Sequence, residues 1–163
     1  MGLFHRHTSD NIPANSLLAP QTGKILALSE VPDPVFSGKV LGDGIAMQPT
    51  SQKVVSPVSG TIVQIADTMH AVCIESDDGL EILLHMGLDT VKLGGKGFVC
   101  HVKVGQRVKA GEHIMDMDLG FIESQGYKTI TPCLITNMDH VKSFNASVGS
   151  AEAGKTVVLQ YEL

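Results

Sequence analysis

The stretch that decides the fold is HAVCIESDDGLEILLHMGLDTV, residues 70–91. Two short runs of strand-forming residues, Val72–Glu75 and Leu80–Met86, lie on either side of the turn sequence DDG. Such runs around a turn of this composition predict an antiparallel β-hairpin. The hairpin has a histidine near each end, His70 before the first run and His85 within the second.

The position of the turn decides how the two histidines face each other. A two-residue turn at Asp77-Asp78 places His70 directly opposite His85, and a turn at Asp78-Gly79 makes them diagonal neighbours. In both registers the two side chains share one face, with Cβ atoms about 4.5–8 Å apart. We therefore predict that the imidazoles converge. A purely structural strand would favour another aliphatic residue where His85 follows Ile82-Leu83-Leu84.

The rest of the chain continues the pattern of the hairpin. From Leu17 onward, short apolar or alternating runs are interrupted by Gly and Pro every eight to twelve residues or so, and no segment keeps a long helical period. This pattern predicts an all-β fold, an antiparallel β-sandwich or flattened barrel. Short helical turns are predicted near Ser29–Val35, Leu119–Ser124 and Asp139–Asn145.

A weak internal echo suggests how two facing sheets arose. The sequence APQTGKI at residues 19–25 resembles SPVSGTI at residues 56–62, 37 positions later. A second echo relates residues 104–111 to residues 148–154. The echoes predict a duplicated strand–turn–strand unit.

Composition limits the class of protein. The chain has 163 residues, 43% of them hydrophobic and 18% charged, which indicates a folded domain and excludes wholesale disorder. Residues 1–16 are mostly polar and predict a flexible N-terminal tail, so residues 17–163 form one predicted domain.

The net charge is −5 and no basic patch is visible, which argues against nucleic-acid binding. No apolar run is long enough for a transmembrane segment, and three widely spaced cysteines indicate free thiols in a reducing cytosol.

The histidine pair is the main candidate for chemistry, because the common nucleotide-binding and hydrolase motifs are absent. One interpretation is that both histidines are structural and share a face by chance. A zinc site is another, although only Asp67 and Asp89 lie near enough to complete it. Covalent catalysis is the third: neutral imidazole is a nucleophile near pH 7, and a phosphoryl group on one ring would be stabilised by the other histidine and the Thr68 hydroxyl.

The motif LLHMGLDTV at residues 83–91 resembles the phosphorylation-site motif of the glucose-family IIA proteins of the bacterial phosphoenolpyruvate-dependent sugar phosphotransferase system. The sequence TMHA at residues 68–71 resembles the second-histidine motif of the same family. Further matching pieces occur in the same order, over about residues 17–161. They are VPDPVF at 31–36, LGDGIA at 41–46, PVSG at 57–60, VGQRV at 104–108 and TP…TN at 131–137.

The resemblance implies a β-sandwich-like barrel with a shallow active-site depression and the activity of a phosphotransferase component that uses no nucleotide. By this analogy His85 accepts a phosphoryl group from the phosphohistidine of the carrier protein HPr and passes it to a cysteine of a IIB domain. His70 holds the phosphoryl group, and Thr68 fixes the tautomer of His70. The resemblance further implies that no cofactor is required, that the location is cytoplasmic and that such a protein also regulates other proteins according to its phosphorylation state.

The resemblance also suggests which residues meet the partners. Val35 and Phe36 are similar to an apolar collar around the site, and Asp33 and Asp89 to an acidic rim that meets partner arginines. If strand alternation holds, Leu83 shares the face of His85 and adds to the partner-binding surface.

Two further hypotheses stay open. VGQRVKAGE at residues 104–112 resembles the entry to a biotinyl or lipoyl hairpin, but MDM at residues 115–117 lacks the lysine that such a swinging arm needs. The other is a non-catalytic regulatory protein in which His70 and His85 hold a zinc ion at a partner interface, completed by a partner's carboxylate.

Overall fold

The computed structural model describes residues 13–163 as an assembly of short strands. Residues 1–12, most of the predicted tail, lie outside the described residues, and the first strand begins at Ser16. The strands are β1 Ser16–Leu18, β2 Gly23–Ala27, β3 Asp43–Pro49, β4 Lys53–Val55, β5 Gly60–Ile65, β6 Ala71–Ser76, β7 Glu81–His85, β8 Phe98–Cys100, β9 Arg107–Val108, β10 His113–Met117, β11 Thr131–Ile135, β12 Ser143–Ala146, β13 Gly149–Ala151 and β14 Val157–Glu162.

The strands form three open sheets. The largest has eight strands in the order β13-β2-β3-β11-β7-β6-β5-β9, and two three-stranded sheets have the orders β1-β14-β12 and β4-β10-β8. Every pair is antiparallel. The predicted all-β sandwich is therefore confirmed, and within residues 13–163 no sheet closes into a barrel.

The helical segments are short. They are α1 Pro34–Ser37, α2 Leu119–Ser124, and 3-10 turns at Leu28–Glu30, Thr90–Leu93 and Met138–His140. The prediction at residues 139–145 is wrong beyond His140, because Ser143–Ala146 pairs with β14 as a strand. In the part of the chain that the structure covers, no helix combines the length and the apolar character needed to cross a membrane.

Strand alternation divides the interior into two clusters. On β7, Ile82 and Leu84 are buried in the main core between the sheets, while Leu83 faces the other way with His85. That second face of the eight-stranded sheet carries a smaller apolar cluster, which contains Leu28, Val31, Phe36, Ala46, Leu88 and Leu134. The histidine of β7 therefore lies beside a separate apolar layer that covers the outside of the sheet.

Reciprocal backbone bonds relate the two halves of the proposed duplication. Leu18 N–H donates to Pro57 O at 2.9 Å, and Val55 N–H donates to Pro20 O at 2.8 Å. The two donors, Leu18 and Val55, are 37 positions apart in the sequence, and so are the two acceptors, Pro20 and Pro57. This is the same separation as in the sequence echo. This local two-fold arrangement is what a duplicated strand–turn–strand unit predicts.

Candidate functional site

The hairpin of β6 and β7 has a register that neither predicted turn would produce. Ala71 pairs with His85, and Ser76 N–H donates to Leu80 O at 2.8 Å, so that the Ser76–Leu80 pair closes a loop of three residues, 77–79. The Ser76 hydroxyl also accepts from Leu80 N–H at 2.8 Å, and Gly79 has a positive φ of 95°. Both two-residue turns predicted from the sequence are therefore wrong.

The two imidazoles nevertheless meet. Their ring centroids are 4.9 Å apart and the ring planes are nearly perpendicular, at 83°. In this register His70 lies opposite Met86, whose backbone N–H donates to the His70 carbonyl. Strand alternation alone would therefore place the His70 side chain on the face of Met86, which is opposite to the face of His85. His70 lies outside β6, directly after Met69 with its positive φ of 60°, so its side chain does not follow the alternation.

The His85 ring is oriented by the backbone that follows it. Its Nδ1 lies 2.7 Å from Gly87 O. A carbonyl oxygen can only accept, so Nδ1 carries the hydrogen and the Nε2 of the neutral ring keeps its lone pair. This tautomer leaves Nε2 of His85 free to act as a nucleophile.

The His70 ring is oriented by Thr68. The Thr68 hydroxyl lies 2.6 Å from Nδ1 of His70, and both residues are half-buried. When the hydroxyl donates to Nδ1, the hydrogen of neutral His70 is on Nε2, where it can be donated to a group bound between the rings.

Burial keeps both rings in the neutral form. Burial is the main cause that lowers the pKa of His85, opposed by the Gly87 carbonyl and by the negative charges of Asp33 and Asp89. Burial and the neighbouring His85 lower the pKa of His70. Because the ordinary histidine pKa is about 6.5, both histidines are neutral at pH 7.

Helix α1 supplies one wall of the site. Phe36 is buried, and its ring centroid lies 4.9 Å from that of His85. The neighbouring Val35 is instead 43% exposed. Asp33 begins the helix, since its carboxylate accepts from Val35 N–H at 3.0 Å. Of the predicted apolar collar, Phe36 therefore supports the His85 ring and Val35 faces outward.

Leu83 and Asp89 lie on the other sides of His85. Leu83 is half-buried and packs against the smaller apolar cluster, on the same face of β7 as His85. Asp89 is exposed, and its side chain makes no capping hydrogen bond to the 3-10 turn that follows it. Its negative charge acts on His85, whose pKa it raises against the larger effect of burial.

Sequence reasoning missed two contributors to the site. Gly87 provides the carbonyl that orients His85; its signal was its place two residues after the histidine. Val40 lies beside Val35, because the backbone N–H of Val40 donates to Val35 O at 3.2 Å. The side chain of Val40 is 71% exposed, so it enlarges the exposed apolar surface that Val35 begins. The signal available in the sequence was the adjacent apolar pair Val40-Leu41, between Lys39 and Gly42.

We expect Gly87→Ala to lower stability by about 1–3 kcal/mol and to slow phosphorylation of the protein. Gly87 has φ +86°, and an added Cβ would lie 2.5 Å from Thr90 Cγ2 and 2.9 Å from Lys128 O. Relief of that contact moves the Gly87 carbonyl that orients His85. Urea unfolding and the rate of phosphoryl acceptance measure the two effects.

Gly126→Ala is the matched control, because Gly126 has φ +89° but no atom within 4 Å of an added Cβ. Its loss of stability should be smaller and its phosphorylation rate unchanged. Equal effects of the two substitutions would show that the Gly87 contacts do not matter.

Among the residues that the structure describes, the pair His70 and His85 is not part of a larger set of metal ligands. Within residues 13–163, one group of three or more ligating side chains lies close enough together to hold an ion, and it consists of His101, His113 and Asp116 rather than His70 or His85.

Comparison with known families places the chain. Residues 15–141 match the family described as the phosphoenolpyruvate-dependent sugar phosphotransferase system, EIIA 1. The chain belongs to this family, as its histidine motifs suggested. It is a phosphotransferase component that carries a phosphoryl group as phosphohistidine during sugar uptake, taking it from HPr and passing it to a IIB domain. Components of this kind need no cofactor.

Individual proteins agree with the family. The chain is 48% identical over 146 residues to a glucose-specific EIIA component of Bacillus cereus, covering 89% of this chain and 88% of that protein. It is 46% identical to part of an N-acetylglucosamine-specific EIICBA component of Klebsiella pneumoniae, covering 86% of this chain and 22% of that protein. Among solved structures, the glucose permease IIA of Mycoplasma capricolum has a TM-score of 0.83 and 39% identity, over 88% of this chain and 94% of that one.

Proposed function

We propose that His85 is the residue of this phosphocarrier that becomes phosphorylated, on Nε2. The observation that carries the proposal is the hydrogen bond of 2.7 Å between Nδ1 and Gly87 O, which leaves Nε2 with its lone pair. The lowered pKa of His85 keeps the ring neutral and nucleophilic at pH 7.

In the proposed reaction, Nε2 of His85 attacks the phosphorus of phospho-HPr. A new N–P bond forms as the N–P bond of the donor histidine breaks, and the electron pair of that bond returns to the donor imidazole. The second transfer repeats this exchange with a IIB cysteine: its thiolate forms the P–S bond, and His85 regains its lone pair. During this second transfer, the His70 Nε2–H donates to a phosphoryl oxygen.

Charge and exposure around the pair support docking at this face. Val35 and Val40 are exposed apolar side chains, and Val35 lies beside Asp33, whose carboxylate accepts from its N–H. The charges of Asp33 and Asp89 both act on His85. We infer that the apolar residues pack against both partners and that the carboxylates meet partner arginines. Leu83 and Phe36 support this surface from behind. The family implies that the exchange takes place in the cytoplasm.

The test is incubation of the protein with phosphorylated HPr, followed by mass measurement. We expect a gain of one phosphoryl group that survives neutral or alkaline conditions and is lost in acid, because an N–P bond is acid-labile. No gain in mass, or an acid-stable adduct, would contradict phosphorylation on histidine.

We expect Thr68→Val to slow onward transfer to IIB by roughly 10-fold, the value of one hydrogen bond of about 1.4 kcal/mol. The substitution keeps the size of the side chain but removes the hydroxyl that lies 2.6 Å from His70 Nδ1. Rapid-quench measurement of phosphoryl transfer gives the rate. Thr68→Ser, which keeps the hydroxyl, is the control and should transfer at close to the normal rate; equal slowing in both variants would argue against the tautomer role.

The regulatory alternative places a zinc ion between His70 and His85 at a partner interface. It uses the same two Nε2 atoms, but the comparisons give it no support. Within the described residues the pair also has no third ligand. Phosphoryl transfer is therefore the function we propose for these two histidines.

A further inference from the structure

Two histidines and an aspartate meet on the small sheet β4-β10-β8, which does not contain the strands of the phosphocarrier site. His101 Nε2 lies 2.6 Å from Asp116 Oδ2, and His113 Nε2 lies 2.8 Å from Asp116 Oδ1. The two ring centroids are 4.5 Å apart. Both imidazoles therefore direct the same nitrogen at one carboxylate.

The backbone holds the three side chains in place. β10 is bulged at Ile114, and the extra residue brings His113 and Asp116, which are three positions apart, to the same side of the strand. His101 follows β8, and its backbone N–H donates to Ile114 O at 3.0 Å. The three groups thus come from two hydrogen-bonded neighbouring segments.

We propose that His101, His113 and Asp116 form a binding site for a divalent transition-metal ion such as Zn²⁺. Two imidazole nitrogens and one carboxylate oxygen are a ligand set that holds zinc in sites with three protein ligands and one open position. The two nitrogen ligands favour Zn²⁺, Ni²⁺ or Cu²⁺ over Mg²⁺ and Ca²⁺, which select oxygen. The potential ligand atoms all lie within 4.8 Å of one another.

Binding needs only small movements. Ligand atoms at about 2.0–2.1 Å from a tetrahedral ion are about 3.3 Å apart, whereas the nitrogens now lie 2.6 and 2.8 Å from the carboxylate oxygens. The three side chains are 38–39% exposed, so they can turn to open this space. Each imidazole then binds the ion through the lone pair of Nε2, with the ring hydrogen on Nδ1.

The experiment titrates the full chain with ZnCl₂ alone and, separately, CoCl₂ alone. Four histidines that could bind independently, His5, His7, His70 and His85, are first replaced by glutamine. Calorimetry should then give one ion per chain, and Co²⁺ should develop visible absorption. At a zinc concentration of about 100 times Kd, the unfolding midpoint should rise by roughly 5–10 °C.

Variants in that background assign the site. His101→Gln and Asp116→Asn should each weaken binding by at least about 10-fold. His140→Gln is the matched control, since His140 is an exposed histidine on a different segment whose Nδ1 lies 4.0 Å from Asp139, and it should bind normally. Equal binding in the His101, Asp116 and His140 variants, or no binding before substitution at these positions, would overturn the proposal.

A second measurement does not depend on variants. When Co²⁺ is added to the unsubstituted, isotope-labelled protein, the amide NMR signals of residues 100–102 and 113–117 should broaden. Broadening around residues 68–70 and 85–87 alone would show that the phosphocarrier histidines take the ion instead, and would also overturn the proposal.

Discussion

Replacing His85 with glutamine lowers phosphorylation by phospho-HPr at least about 10³-fold, because the substituted residue has no nitrogen lone pair able to form the N–P bond. Glutamine is uncharged, as the imidazole is, and is long enough to reach the same place beside Phe36, whose ring centroid is 4.9 Å from that of His85. The fold should therefore persist. Mass measurement after incubation with phospho-HPr gives the result, and circular dichroism checks the fold.

His140→Gln provides the matched control for this substitution, because His140 is exposed and lies on a 3-10 turn outside the pair. It should accept the phosphoryl group normally. If His85→Gln were phosphorylated as rapidly as this control, the assignment of the nucleophile would be wrong, and a repeat of the measurement on a His70 variant would show whether that ring accepts instead.

His70→Ala has the second large effect, and the effect is confined to one half of the reaction. We expect acceptance from phospho-HPr to continue, since the Nε2 of His85 is oriented by Gly87 O and not by His70. Onward transfer to a IIB cysteine should fall about 10²–10³-fold, the usual loss when one donor to the developing charge is removed. Alanine removes the ring that lies 4.9 Å from His85 and, with it, the Nε2–H.

The two half-reactions are measured separately, by loading the variant with phospho-HPr and then mixing it with IIB in a rapid-quench instrument. His70→Gln is a useful companion because its amide N–H can replace the lost donor, so it should recover part of the transfer rate. Normal onward transfer by His70→Ala would contradict the role assigned to this residue.

The sequence was sufficient for the hairpin and for the faces of its second strand. Alternation correctly separated Ile82 and Leu84, which enter the main core, from Leu83 and His85. The helical turn predicted near Leu119–Ser124 is α2, which begins where the Asp118 carboxylate accepts from Phe121 N–H. These features depend on neighbours in the chain, which sequence patterns describe well.

The contact between the histidines was predicted for the wrong reason. Ser76 accepts from Leu80 N–H, and the loop between this pair has three residues instead of two, so the register of the hairpin shifts by one. If both histidines belonged to strands, this shift would place their rings on opposite faces. Met69, with its positive φ, restores the contact. A non-glycine residue in that conformation is uncommon, and no sequence pattern indicated it.

Contacts between distant segments were also beyond the sequence. Ser143–Ala146 becomes a strand because β14 lies beside it, and Phe144 faces Tyr161 there. In the same way, His101 and His113 meet only because β8 and β10 are neighbours and β10 is bulged. Local composition cannot report pairings that are made across the fold.

The pairing of β1 with β14 has a consequence for how this module can be combined with others. Ser16 lies opposite Gln160, so the polypeptide enters and leaves the domain side by side, on a sheet that contains neither β6 nor β7. Linkers attached at either point would begin next to each other. The EIICBA protein of Klebsiella pneumoniae, of which this chain matches 22%, is a longer polypeptide of the kind that such an attachment allows.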